Sequence, residues 1–169
     1  PHPRDIDEDL LKVMVRHDNI CNQIHLPLQS GSSRILKRMN RTYTKEEYLN
    51  LVDTIKKYIP DCGLTTDIIV GFPGETEEDF QETLEVVSKV KFDIAYMFKY
   101  SERPGTKAAQ YTDHISEEVK QSRLQTLIEF QHNIGLMNNR KRIGLNLNVI
   151  IEKESKKSKN QWAGRIEAN

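Results

Sequence analysis

Apolar positions along the chain recur with two spacings, two residues and 3.6 residues, in alternation. Within Ile20–Leu28, the residues Ile24, Leu26 and Leu28 fall on one side and Gln23, His25 and Pro27 on the other, as in a half-buried strand. Thr44-Lys45-Glu46-Glu47 has the spacing of a capping box, in which the threonine hydroxyl and the glutamate carboxylate each satisfy a free backbone N–H. It opens a helix with Tyr48, Val52, Ile55 and Ile59 along one stripe, ended by Pro60-Asp61. Gly63–Val70 is β-branched and apolar around a single Asp67, which predicts a buried strand. Gly71-Phe72-Pro73-Gly74 turns the chain, and Thr76 caps a helix with Phe80, Leu84 and Val87 facing inward. Ile94–Tyr100 predicts a third strand, Ser101–Ile115 a loop, and Ser116 caps a long helix running to Arg142.

Strands separated by helices imply parallel pairing through right-handed crossovers, so the expected class is α/β. A doubly wound sheet and a piece of a (β/α) barrel both accommodate this order. A closed eight-stranded barrel does not, since it takes about 250 residues. After Ile143-Gly144 the character changes. Leu147–Glu152 and Gln161–Glu167 predict two short strands around the polar turn Lys153–Asn160, the beginning of a small β module. The expected division is therefore 1–142 and 143–169.

Composition narrows the function classes. The 169 residues, 37% hydrophobic and 30% charged, suit one domain with an appendage. No stretch approaches the roughly 18–20 apolar residues of a membrane span. Residues 1–20 carry Arg4, Asp5, Asp7, Glu8 and Asp9 and show no apolar segment of a signal peptide. Two cysteines, Cys21 and Cys62, fit a reducing cytoplasm and exclude, within this chain, a metal site built on three or four cysteines. The 25 basic and 25 acidic residues cancel but are unevenly placed: from Arg140 onward eight Lys and Arg meet three Glu. A basic end on an acidic body suits a polyanionic partner, and a solvated lysine-rich turn has the same composition.

In either architecture the functional end lies beyond the carboxyl ends of the parallel strands. The segments expected there are Gln29-Ser30-Gly31-Ser32, Gly71-Phe72-Pro73-Gly74-Glu75-Thr76 and Tyr100-Ser101-Glu102-Arg103. If Leu26, Ile68 and Phe98 face the covering helices, then His25, Gln29, Asp67, Ile69, Met97 and Lys99 face the inside of the sheet. A row mixing acid, base, amide and imidazole is costly in a plain core, and a buried Asp67–Lys99 ion pair would account for part of it. The glycine-rich turn lacks both Gly-x-Gly-x-x-Gly and a Lys-Ser/Thr ending, so neither dinucleotide nor P-loop binding is indicated. Ser30-Gly31-Ser32 ahead of a helix is a weak anion-binding signal. His2, His17, His114 and His132 show no zinc spacing, and His25 on the inward face reads as a satisfied core histidine or a site residue.

Four ordered motifs carry a resemblance: Ile24-His-Leu-Pro-Leu-Gln-Ser-Gly-Ser32, Arg38-Met-Asn-Arg-Thr-Tyr43, Thr66-Asp-Ile-Ile-Val-Gly-Phe-Pro-Gly-Glu-Thr76, and Phe98-Lys-Tyr-Ser101 with Arg103-Pro-Gly-Thr106. Together they resemble the radical S-adenosylmethionine methylthiotransferases over the whole chain. Met97–Ser101 and Asp18-Asn-Ile-Cys21 are most similar to the MiaB-type branch. That branch adds a methylthio group to C2 of N6-isopentenyladenosine next to the anticodon of tRNA. Sister branches act on threonylcarbamoyladenosine in tRNA or on a ribosomal-protein aspartate. A third possibility, from another class, is an RNA-binding segment without catalysis.

The resemblance implies a partial (β/α) barrel entered late, at Pro1-His2-Pro3, and a TRAM module broken off at Asn169. It implies a transferase using S-adenosylmethionine and two [4Fe–4S] clusters, whose cysteine ligands lie outside this chain, with tRNA and an unspecified sulfur donor as partners. Exposed sheet edges of such a piece favour self-association. Gln29 and Ser30 would lie near the ribose or methionine part of the cofactor. Ile69 and Val70 would border the adenine, although Gly71–Glu75 departs by one residue from the usual Gly-x-x-Glu ending. Phe98, Lys99 and Tyr100 would offer backbone contacts to the adenine edge, and Asp67 is grouped with these cofactor-side residues. Arg41 and Arg103 are expected as substrate-side or carboxylate-side cations, and Lys153, Lys156, Lys157 and Lys159 as contacts to the tRNA backbone on one exposed turn.

Overall fold

Strand β2 (Gly63–Val70) pairs in parallel with β1 (Gln23–His25) on one side and β3 (Ile94–Lys99) on the other. The computed structural model describes residues 2–156 and 158–166. Helices α1 (Glu8–Arg16), α2 (Ser33–Arg38), α3 (Lys45–Tyr58), α4 (Glu77–Val90) and α5 (Glu117–Lys141) accompany this sheet, and short 3-10 turns occupy Pro3–Asp5 and Lys107–Gln110. A separate antiparallel hairpin, β4 (Val149–Glu154) and β5 (Trp162–Ile166), follows. The fold is α/β, a parallel three-stranded piece of a (β/α) barrel with a small two-stranded sheet after it.

The crossovers start where the capping residues put them. Thr44 accepts from the Glu47 N–H at 3.2 Å while Glu47 accepts from the Thr44 N–H at 2.8 Å. Thr76 and Asp79 form the same reciprocal box at the start of α4. The apolar stripes then close on the sheet: Leu26, Leu28, Ile68, Tyr48, Ile55 and Val87 are fully buried in one core with Phe80 and Leu127. Burying a side chain of this size is worth about 1.5–3 kcal/mol. Tyr48 satisfies its hydroxyl on the Leu26 carbonyl at 2.8 Å, and burial pushes that phenol far above its ordinary value. The inner stripe of α5 is unusual, because Lys120, Arg123 and Gln131 are buried along with Leu127 and Ile134.

Three differences from the expected elements have physical reasons. The first strand is three residues long instead of nine, because the Leu28 N–H goes to the Thr66 hydroxyl at 2.9 Å in place of a ladder carbonyl and Gln29 turns left-handed at φ 66°. Backbone pairing beyond it runs through Leu26 N–H to Thr65 O and Gln29 N–H to Asp67 O, both 2.8 Å, and Ile69 N–H to Gln29 O at 2.9 Å. Helix α1 was not anticipated, although Asp7 caps it and Leu11 and Met14 supply its buried side. The second expected turn is shorter than Lys153–Asn160, since Lys153 belongs to β4 and pairs with Ala163.

Gly31 is the tightest point of this packing. A Cβ there would lie 2.6 Å from the Glu82 carbonyl oxygen and 2.7 Å from the Thr83 nitrogen of α4, both backbone atoms that cannot swing away. Gly31→Ala in the full-length protein is expected to lower stability by about 1–3 kcal/mol through overpacking. Gly135→Ala, in α5 with nothing within 4 Å of its added Cβ, should instead raise it by about 0.5–1 kcal/mol. Urea midpoints of the two variants against the parent check the opposite signs.

Candidate functional site

The carboxyl ends of the strands are gathered by two buried acids. Asp79, its side chain 7% exposed, accepts from Ser32 Oγ at 2.6 Å, from Arg34 Nε at 3.2 Å and from Thr76 N–H at 2.7 Å. It therefore joins the loop after β1, helix α2 and the start of α4. Burial alone would raise its carboxyl, but Arg34, Ser32 and Thr76 outweigh burial and hold it well below the carboxylate range. Glu75, 1% exposed, accepts from Gly71 N–H at 2.9 Å and from Arg123 Nη1 at 2.8 Å. Burial pushes the Glu75 carboxyl above its ordinary value against the pull of those two donors. Gly71 and Gly74 sit at φ 72° and 79°, which only glycine adopts without strain. A Cβ on Gly71 would run into the aliphatic stem of Lys120.

Above this brace lies Gln29, 7% exposed and left-handed. A glutamine held at positive φ costs about 1 kcal/mol or more and persists only where its surroundings fix it. Here its N–H and C=O are locked to Asp67 O and Ile69 N–H at 2.8 and 2.9 Å, and its Oε1 accepts from Arg41 Nη2 at 3.0 Å. Gln29 and Arg41 thus form one polar unit at the strand ends. Ser30 is fully buried, and its hydroxyl accepts from Ser32 N–H at 3.2 Å, bracing the loop.

On the uncovered face of the sheet, His25 holds Thr65 Oγ1 at 2.9 Å through Nδ1 and Asp67 Oδ2 at 3.2 Å through Nε2. The inward placement of His25, Asp67 and Ile69 agrees with the strand parity. The placement along β3 does not. Register pairs Asp67 with Tyr96 and Ile69 with Phe98, so the two aromatics share the open face and each is 53% exposed. Met97 and Lys99 point the other way, toward α5, where Lys99 Nζ meets Glu117 at 3.3 Å. The expected Asp67–Lys99 pair is therefore absent, and Asp67 pairs with His25. Parity misled because β3 is apolar on both faces, with Ala95 and Met97 alternating with Tyr96 and Phe98.

The remaining predicted residues scatter. Val70 is 1% exposed and faces the helices, leaving only its backbone, which accepts from Tyr100 N–H at 2.8 Å. Tyr100 packs edge-on against Phe72 at 5.1 Å. Arg103 is exposed in the loop after β3. Lys153 lies in β4, Lys156 and Lys159 lie in the following turn, all exposed, and Lys157 falls outside the described residues. The braces Asp79, Arg34, Glu75 and Arg123 escaped the sequence reading. The one local signal was the capping-box position of Asp79, three residues after Thr76.

Both expected cofactors can be set against these residues. The half-exposed Ile69 and Phe98 beside the Gln29–Arg41 unit form an apolar surface with a polar end, which fits an adenosyl group. An iron–sulfur cluster finds no such fit. Cys21 is exposed, Cys62 is buried with its thiol pushed up to about 11 by burial, and no cluster of three or more His, Cys, Asp or Glu suited to a metal occurs among the described residues.

A partial barrel with its braced loops at the carboxyl strand ends defines a class, and the comparisons agree with it. The radical SAM superfamily model matches residues 1–87, and the chain belongs to that superfamily. Among solved structures it is similar to coproporphyrinogen III oxidase (HemN) from Escherichia coli, a radical SAM enzyme, with a TM-score of 0.64 and 27% identity over 79% of this chain and 31% of that one. Within the superfamily it is 53% identical, over 99% of its length, to the tRNA-2-methylthio-N(6)-dimethylallyladenosine synthase of Christiangramia forsetii. The enzyme of the same name from Fusobacterium nucleatum is also 53% identical, over the whole chain. The chain spans 35% and 39% of those two relatives, little more than a third of their length. No helix among the described residues is long and apolar enough to cross a membrane.

Two outcomes are expected at this site. In a double-mutant cycle, His25→Ala and Asp67→Ala should couple by about 0.5–3 kcal/mol, whereas Lys99→Ala and Asp67→Ala should add independently. Asp79 has a folded-state pKa below its unfolded value, so its contribution is complete above the unfolded value near pH 4 and is lost as pH falls further. Asp79→Asn should therefore lower the urea midpoint at pH 7 and narrow the gap to the parent at pH 3.

Proposed function

We propose that this chain is part of a radical S-adenosylmethionine methylthiotransferase that adds a methylthio group to C2 of N6-isopentenyladenosine next to the anticodon of tRNA. The identity of 53% across all 169 residues to enzymes named for that reaction carries the reading. In this proposal residues 1–142 are the barrel part and 143–169 the start of a TRAM-like module.

S-adenosylmethionine, when bound, would supply radical chemistry toward the target base, with the electron for it coming from an iron–sulfur cluster. The residues of this chain do the holding. Ile69 and Phe98 offer apolar contact to an adenine, with the backbone at Phe98–Tyr100 along its edge. Gln29, whose Nε2 has no partner among the described residues, donates toward a ribose or carboxylate, and Arg41 fixes its amide by holding Oε1. Asp67, steadied by His25, presents a hydrogen-bond acceptor on the same face. The rigid Asp79 and Glu75 braces keep the loops from collapsing and limit water around a reactive species. Arg103 and the lysines Lys153, Lys156, Lys157 and Lys159 supply sequence-independent attraction for an RNA phosphate chain. The iron–sulfur clusters belong to the parts of the enzyme outside this chain.

The test is product analysis. Full-length, cluster-reconstituted protein with S-adenosylmethionine, a reductant and tRNA bearing N6-isopentenyladenosine should yield the 2-methylthio nucleoside on digestion. Gln29→Ala should raise the KM for S-adenosylmethionine at least severalfold. Modification of threonylcarbamoyladenosine instead, with the isopentenyl substrate untouched, would overturn the reading.

A further inference from the structure

We propose that the crevice between the base of the sheet and the hairpin is an RNA-backbone site, with Lys56, Lys91 and Lys141 as its phosphate ligands. The proposal deepens the reading of this chain as part of a tRNA-modifying enzyme and rests on it. The crevice, about 690 Å³, lies at the end of the sheet opposite the braced loops. Helices α3, α4 and α5 all finish there, and each brings a lysine in its last turn or at its cap.

Charge bookkeeping along the lining favours an anion. Four cations face two carboxylates, Asp61 and Asp93. Asp93 is already engaged, by Arg142 Nη2 at 2.8 Å and by Leu64 N–H at 3.2 Å. Lys91 and Lys141 have no ion pair among the described residues, and exposed Asp61 is the remaining carboxylate of the lining. Lys56 turns its ammonium onto the Val90 carbonyl at 2.7 Å. Burial, with Lys91 and Lys141 nearby, holds that ammonium below the usual lysine range against Asp53 and Asp93. A helix C-terminus attracts cations on its own account, which explains one lysine per helix. It does not explain their convergence on a single crevice, where they repel one another until an anion lies between them.

The remaining lining suits a polynucleotide better than a small anion. Asn146 and Asn148 add amide donors of the kind that bind phosphate and sugar oxygens. Leu145 and Leu147, 60% and 46% exposed, give apolar surface for a ribose or base. The volume is several times that of one phosphate, and the crevice opens to solvent. From its hairpin end, β4 leads about 20 Å to the turn bearing Lys156 and Lys159. Cations at both ends of the hairpin match a phosphate chain that carries charge along its whole length. Lys141, at the centre of the basic stretch Arg140-Lys141-Arg142, thereby gains a role that the lysine turn alone does not give it.

The test uses the full-length protein and a tRNA anticodon stem-loop, with affinity measured by fluorescence anisotropy from 50 to 300 mM salt. Lys91→Gln/Lys141→Gln should weaken binding about five- to tenfold near 100 mM salt. It should also reduce the slope of log affinity against log salt by about 0.7–0.9 per lost contact. Binding of S-adenosylmethionine should not change, and the thermal midpoint without RNA should not fall. Lys156→Ser/Lys159→Ser serves as a comparison at the other end of the hairpin. Wild-type affinity and salt slope in the Lys91/Lys141 variant, with the parent binding RNA normally, would overturn the crevice site while leaving the proposed reaction intact. Weaker binding with an unchanged salt slope would also overturn it, because the lysines would then act through structure. Failure of the parent to bind the stem-loop at all would remove both readings together.

Discussion

One carboxylate, Asp79, constrains the end of the molecule where chemistry is expected. It receives a hydroxyl from the loop after β1, a guanidinium from α2 and a backbone N–H from the start of α4. A buried carboxylate with several donors is costly to disturb, because removing it orphans the buried Ser32 hydroxyl and the Thr76 N–H together, while half-exposed Arg34 keeps the Gly74 carbonyl and solvent. Glu75 repeats the device one loop over, tying the Gly71–Gly74 turn to Arg123 of α5. Stiff loops follow from polar burial here, with the hydrophobic core lying behind them.

The sheet itself separates two kinds of surface. Leu26, Leu28, Ile68 and Val70 present an apolar face to the helices, while His25, Asp67, Tyr96 and Phe98 look away from them. The second face is half-exposed, polar at one strand and aromatic at another, and joined by the His25–Asp67 hydrogen bond. Covered helices on one side and a mixed lining on the other are the arrangement of a barrel wall, where the lining meets ligands and the outside meets helices.

Much of this was legible in the residues. The capping boxes at Thr44 and Thr76, the stripes of α3 and α4 and the β-branched run of β2 are local signals, and the chain obeys them. The parallel order followed from their alternation. What eluded sequence reasoning depends on distant partners. The length of β1 was set by the diversion of the Leu28 N–H to the Thr66 hydroxyl and by a glutamine in a glycine-like conformation. The facing of β3 was set by its register with β2, since its own composition is apolar on both sides. The Glu75–Arg123 pair joins residues 48 apart, and no local pattern announces it. Asp67 was rightly placed inside, but its partner was misassigned: Lys99 and His25 both lie on strands flanking β2, and only the register shows that Lys99 points to the opposite face.

Helix α5 carries a consequence of its own. At 25 residues it is about 37 Å long, enough to run from one end of the sheet to the other. Its first turns hold Lys120 against Gly71 and Arg123 against Glu75, and its C-cap, Arg142, is held against Asp93. A helix transmits a push along its axis with little compression. The braced loops at one end and the crevice at the other are therefore fastened to a single rod, so the spacing between them is set by the length of one helix.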